Sequence, residues 1–232
     1  MTNKEISDTL WAKQQTIVTA YQNGIEHTIE PIEARVQDKI AFFPGGNGYF
    51  CEVGKADILV LGQDFSTVAY FEDFRDNPRK QDTTGPTWRN MLELFKEANI
   101  DLRRCFFSNV FMGLRPGDKM TGKSPVYKNK TLLEENVSFL REQISVIHPK
   151  VIITLGKYPV DMLLRAENKK DHKVSSSVTK ITEIETIELE GNKYIWVALV
   201  HPSMRNFNVR SRKYKGHEKS EAEEYMLIDA LE

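Results

Sequence analysis

Cysteine is scarce in this chain. Of 232 residues only two are cysteines, Cys51 and Cys105, far apart and with neither a C-x-x-C pair nor a Cys/His pairing. That argues against a structural zinc, an iron–sulfur cluster or a disulfide framework, and for a reducing compartment. Long apolar runs are missing too. None approaches the ~20 residues that a membrane helix needs, so no membrane span is expected. The first residues, MTNKEISDTLW, bring early charge but no apolar h-region, so no signal peptide is expected and the cytoplasm is the default location. Net charge is −1, which by itself says little about nucleic acid. There is no internal repeat, no low-complexity segment and no convincing linker. One domain is expected over residues 1–232, long enough to bury a real core, with residues 1–50 as a helical extension packed on it.

What is present is a run of short apolar segments separated by helical patterns. Residues 1 to about 30 read as one or two amphipathic helices, with Ile6, Leu10, Trp11, Ile17, Val18 and Tyr21 at helical spacings. The turn-rich stretch from Phe42 to Phe50 leads towards the first strand, and no catalysis is expected from the first 50 residues. Asp57 to Gly62 is an apolar run suited to a strand buried on both faces. Val68 to Gly85 reads as irregular, ending in the polar tract DNPRKQDTTG. Pro86 then opens a helix with Trp88, Met91, Leu92, Leu94, Phe95 and Ala98 on its apolar face. Arg104 to Met112 is a second strand, and Gly113 to Asn129 a second long loop. A long helix follows from Thr131 to His148, then a third strand at Val151 to Leu155 and a helix after Gly156-Lys157. That junction lacks G-x-x-x-x-G-K-[ST] and is not a phosphate loop. Val178 to Val200 reads as a hairpin turning at Glu190 to Lys193, whose second arm is the fourth strand of the main sheet. Glu218 to Leu231 closes the chain as a helix. Strand and helix in alternation imply a three-layer α/β/α sandwich around a central, mostly parallel four-stranded sheet.

The functional argument is positional. Parallel strands share one carboxyl edge, and ligands of open α/β sheets bind there. Three apolar runs deliver an unexpected polar residue to that edge: Gln63 and Asp64 after the first, Asn109 in the second, His201 after the fourth. Asp64 either caps a following helix or faces a ligand. Asn109 either braces a loop or meets a ligand, since a buried amide must have its hydrogen bonds met. After His201 comes a basic tract, Arg205, Arg210, Arg212, Lys213, Lys215 and Lys219 against the single acid Glu218. Such a tract is either a solvated loop or, where it borders a site, a phosphate-contacting surface.

Together these residues resemble the uracil-DNA glycosylase superfamily. The likeness is carried by G-Q-D at Gly62 to Asp64, the Asn109 of S-N-V, H-P-S at His201 to Ser203, the N-V-F-M-G-L-R-P stretch and the L-G-K junction at Leu155 to Lys157. It spans roughly Asp57 to the C-terminus. The resemblance implies a hydrolase that cleaves the N-glycosidic bond of uracil or a related damaged base in DNA, acting on a flipped base in base excision repair. Asp64 and His201 would be catalytic. Asp64 would stabilise a cationic sugar and orient water, and His201 would donate a hydrogen bond to the uracil O2. Asn109, Gln63 and Ser203 would line the base pocket, with Phe71, ahead of Trp88, as the stacking aromatic. Met204 would press into the duplex as an apolar wedge, while Arg205, Arg210, Arg212 and Lys213 contact phosphates.

The chain also departs from the best-known branch of that superfamily, which reads G-Q-D-P-Y, with a tyrosine blocking the thymine methyl. Here Phe65 and Ser66 follow instead, so exclusion of thymine would fall to Phe65 or the loop around Tyr70. The iron–sulfur branches need four cysteines. No cofactor and no metal are therefore expected, with DNA as the partner, no membrane association and a monomeric state. The alternative expectation is a non-catalytic pyrimidine- or nucleic-acid-binding module of the same fold.

Overall fold

Every one of the four apolar runs forms a strand, and helices cover both faces of the sheet they build. The computed structural model describes residues 1–24, 41–50, 54–76, 85–119, 122–168 and 178–232. Cys51, most of the polar tract after Asp76 and the packing of Val18, Tyr21 and Phe74 lie outside the described residues. The elements in chain order are α1 (Asn3–Gly24), β1 (Ile58–Gly62), α2 (Val68–Asp76), α3 (Pro86–Glu97), β2 (Cys105–Asn109), α4 (Lys130–Ile147), β3 (Val151–Leu155) and α5 (Lys157–Ala166). There follow β4 (Glu185–Leu189), β5 (Asn192–Leu199), α6 (Arg205–Asn208), the short pair β6 (Lys213–Tyr214) and β7 (His217–Glu218), and α7 (Lys219–Leu231).

The main sheet runs β2-β1-β3-β5-β4. Its first four strands are parallel, and β4 pairs antiparallel on the outer edge of β5. The expected four parallel strands are thus present, with a fifth added at the edge. Only Ile187 and Leu189 of β4 are buried, so its apolar pattern is that of a one-faced edge strand and reads weakly. Glu190 and Gly191, both at positive φ, form the two-residue turn between β4 and β5.

Alternation along β1 decides the layers. Leu59 and Leu61 pack with α1, α4 and α5, whereas Ile58 and Val60 pack with α3 and α7. Both faces are apolar because helices cover both, which is why the run lacks a polar face. From β1 the chain moves outward to β2, then returns past β1 to β3. The carboxyl ends of β1 and β3 therefore flank the point where strand order reverses, where a crevice opens.

Val68 to Asp76, expected to be irregular, is helical. Thr67 accepts a hydrogen bond from Tyr70 N–H at 3.3 Å through its hydroxyl and so caps α2. Phe71 is the buried anchor of this short helix, too little for a periodic stripe to show in sequence.

Two arginines of the basic tract are structural. Arg212 is fully buried and donates to the carbonyls of Val178 and Ala198, while Arg205 donates to Ser220 Oγ at 2.7 Å. Both guanidiniums face the buried carboxylate of Glu223, at 3.6 Å from Arg205 and 3.8 Å from Arg212. Burial lowers the pKa of Arg212 and raises that of Glu223, each partly offset by the other's charge. Glu223 also accepts from Val200 N–H at 2.8 Å, directly before His201. The assignment of Arg205 and Arg212 to phosphate contact is therefore corrected: a basic run looks solvated until its acidic partner, Glu223 on the following helix α7, is located. Glu223→Ala would strand two buried cations, and chemical denaturation should show a loss of about 3–5 kcal/mol.

Candidate functional site

Past its carboxyl end β1 does not separate from β2. Val110 N–H donates to Gly62 O at 3.0 Å, Phe111 N–H to Gln63 O at 2.9 Å and Arg115 N–H to Ser66 O at 2.8 Å. The two chains leave the sheet side by side, and this continuation carries Arg115 to Asp64. Arg115 Nε donates to Asp64 Oδ2 at 2.7 Å, and both side chains are only 5 % exposed. Ser66 N–H donates to Asp64 Oδ1 at 3.1 Å, closing a local turn in which Ser66 takes φ +71°. Asp64 therefore does not cap α2, the reading that competed with a ligand-facing role. Its dry surroundings push the carboxyl up from the ordinary carboxylate range, against the pull of Arg115 and the Ser66 amide.

Asn109, at the end of β2, sits in register opposite Gly62 and is 2 % exposed. A Cβ at residue 62 would stand 2.5 Å from Asn109 Oδ1 and 3.2 Å from the Phe42 ring, so glycine there makes room for the amide. The Asn109 side chain has one long hydrogen bond, from Nδ2 to Phe43 O at 3.5 Å. Its main chain is held more firmly. Gln143 Nε2 donates to Asn109 O at 3.3 Å, and Ser108 Oγ donates to the Gln143 carbonyl oxygen. The amide thus keeps hydrogen-bonding capacity for a ligand.

His201 follows β5 and opens a 3-10 turn, Pro202–Met204. Its Nδ1 accepts from Ser203 N–H at 3.3 Å and lies 2.8 Å from Ser203 Oγ. With Nδ1 as acceptor, the neutral ring carries its proton on Nε2. Burial holds the imidazole below its ordinary pKa. Asn90 Nδ2, from α3, donates to Pro202 O at 2.8 Å and ties the turn down. Gly156, at φ +88°, lets the strand-to-helix junction pass close by: a Cβ there would be 3.2 Å from His201 Cβ.

These residues meet in one cavity of about 330 Å³, lined by Gln63, Asp64, Asn109, His201 and Ser203. Trp88 lines it as well. Gln63 is oriented by donating from Nε2 to Gly122 O at 3.0 Å. Phe71 does not line it. That ring is buried behind Phe65, edge-on at 5.3 Å, so its expected stacking place is corrected. The aromatic walls are Phe42, Phe65, Tyr70 and Trp88, with Phe42 5.1 Å from Trp88. Sequence reasoning missed Phe42, which lies before the first strand, and Arg115, one arginine among several cations in a loop. Among the described residues no group of His, Cys, Asp and Glu is placed to hold a metal ion, and no helix is long and apolar enough to cross a membrane.

Beyond the cavity, Met204 and Phe207 project at 59 % and 61 % exposure. The Arg210 guanidinium lies 4.8 Å above the Phe207 ring. Lys213 is exposed and paired with Glu218 at 2.9 Å. Of the four basic residues assigned to phosphates, Arg210 and Lys213 reach the surface.

A carboxylate, an amide and an imidazole thus surround one crevice of an α/β/α sandwich, at the reversal of its parallel strands. Over residues 49–225 the chain matches the Uracil DNA glycosylase superfamily, and it belongs to that superfamily. No curated protein matches it. Membership supports a glycosylase-like function in general terms and agrees with the motifs at Gly62, Asn109 and His201.

Three measurements test this geometry. The His201 imidazole should titrate below about 6.5 in an NMR pH series. Since the unfolded state takes up that proton first, stability should fall as pH drops below about 6.5, and His201→Asn should remove that part of the decline. Gly62→Ala should lower the melting temperature and displace Asn109, with an effect of overpacking size, about 1–3 kcal/mol.

Proposed function

We propose that this protein is a DNA glycosylase that hydrolyses the N-glycosidic bond of uracil or a related damaged base. The observation that carries the reading is the convergence of Asp64, Asn109 and His201 on one aromatic-walled cavity at the carboxyl edge of the sheet. An extruded base laid against the wall that Phe42 and Trp88 form would gain stacking energy, and Asn109, with donor and acceptor on one amide, matches the O4 and N3–H edge of uracil. As the C1′–N bond breaks, its electron pair leaves with the base. His201 meets the growing charge on O2 with its Nε2–H, a neutral donor consistent with its depressed pKa. Asp64 stabilises the cationic sugar and orients the water that adds to C1′. With Ser66 in place of a bulky side chain, the wall against a thymine methyl falls to Phe65 and Tyr70.

Met204 and Phe207 supply the wedge that fills the stack left by the base, and Arg210 and Lys213 the backbone contacts. The reading treats the chain as one domain, which the packing of α1 on α4 and the place of Phe42 in the cavity wall support. The second reading, a binding module without turnover, is favoured by the ion pair that engages Asp64 with Arg115.

Base release from uracil-containing single- and double-stranded oligonucleotides, scored by alkali cleavage, separates the two. Wild type should turn over, and Asp64→Asn should be slower by at least about 100-fold with binding retained. Full activity in Asp64→Asn would sink the mechanism, and affinity without any base release would favour the module. The double variant Met204→Ala, Phe207→Ala should weaken duplex binding by about tenfold, the effect of losing roughly 1.4 kcal/mol of apolar contact.

A further inference from the structure

Asp64 is a carboxylate in a dry place. A buried ionised carboxylate without a partner takes up a proton rather than remain charged. What stands next to Asp64 therefore decides whether the cavity contains an anion at all. The titratable and charged groups that line the cavity with it are Arg115, from the continuation of β2, Tyr70, from α2, and His201, from the turn after β5. Tyr70 is a phenol, and burial favours the neutral form of the His201 imidazole. Among the described residues lining the cavity, Arg115 is the one permanent positive charge.

Its placement is fixed at three points. The guanidinium Nε donates to Asp64 Oδ2 at 2.7 Å. The main chain of Arg115 donates to Ser66 O at 2.8 Å and accepts from Val68 N–H at 3.3 Å. Both of those partners belong to the segment that carries Asp64, so the cation and the carboxylate are held by the same piece of ladder. The carboxylate in turn has one fixed donor on each oxygen, Ser66 N–H on Oδ1 and Arg115 on Oδ2. Each oxygen keeps acceptor capacity for a further ligand.

We propose that Arg115 is the positioning residue of this site: it acts through Asp64, fixing both the orientation and the charge of that carboxylate. The proposal rests on the glycosylase reading for its catalytic consequence, and on the ion pair alone for its physical content. A site built this way has an acidic limb set by Arg115. Burial raises the Asp64 pKa and Arg115 lowers it, so removing the guanidinium lets Asp64 protonate at higher pH. Activity that needs the carboxylate is then lost from the acid side first and recovers as pH rises.

The test uses the full chain with Arg115→Gln and Arg115→Lys, folding checked by thermal melting. Gln keeps an N–H donor without the charge; Lys keeps the charge without the planar fork. Base release is followed from pH 5 to 9, and the Asp64 carboxyl is titrated by ¹³C NMR in each protein. For Arg115→Gln the acidic limb and the Asp64 titration should both move up by at least about one pH unit. That is about a tenfold loss on the acid side, narrowing towards wild type at high pH. Arg115→Lys should fall between the two, and it carries the test if the Gln variant does not fold. An equal loss at every pH with an unmoved Asp64 titration would overturn the proposal and leave Arg115 a structural residue. Should wild type release no base from any oligonucleotide, the glycosylase reading falls, and the carboxyl titration still decides whether Arg115 governs Asp64.

Discussion

The register between β1 and β2 is the constraint on which the site depends. Gly62 stands opposite Asn109, and the pairing runs on past both strand ends through Gln63 with Phe111 and Ser66 with Arg115. Shifting this register by one residue would turn every side chain to the opposite face of the sheet. Asn109 would leave the cavity and Arg115 would lose Asp64. Hydrogen bonds between backbones therefore place three chemically distinct side chains. The glycine makes this possible by absence, since any Cβ at residue 62 would occupy the space of the Asn109 amide.

Two buried charge clusters stand near the carboxyl edge of the sheet, one beyond β1 and β2 and one beside the end of β5, and they serve different ends. Around Glu223 the arginines are tied to the fold, with Arg212 donating to Val178 and Ala198 and Arg205 to Ser220. That cluster fastens the end of β5 to α7 and holds the main chain just before His201. At Asp64 the pair lines a cavity, and the carboxylate oxygens keep acceptor capacity. Desolvation acts on both, but only the second faces space that a ligand can enter. Burial alone does not tell a structural ion pair from one that belongs to a site; the cavity beside it does.

Much of the site was legible because its residues were out of place. Asp64, Asn109 and His201 each ended an apolar run, and parallel strands bring such ends to one edge. Arg115 carried no such signal. It lies among glycine, proline and lysine in a loop, and it pairs with a residue 51 positions away. Phe42 was hidden for the opposite reason, since the stretch around it has no strand or helix period to say which way a ring faces. Phe71 lies in a segment whose sequence reads as irregular; α2 buries it behind Phe65, and Phe65 is the ring that lines the cavity.

The layered α/β/α architecture and the edge at which chemistry collects could both be read from the order of residues. Both follow from local facts: apolar runs too short for helices, and the shared polarity of parallel strands. Which charges are buried, which are paired and which face solvent depends instead on how the elements pack. Arg205, Arg210, Arg212 and Lys213 look alike in sequence, yet two are buried against Glu223 and two are exposed. The reason is physical. The free energy of a charge depends on every group within several ångströms of it, and those neighbours come from strands, loops and helices distant along the chain.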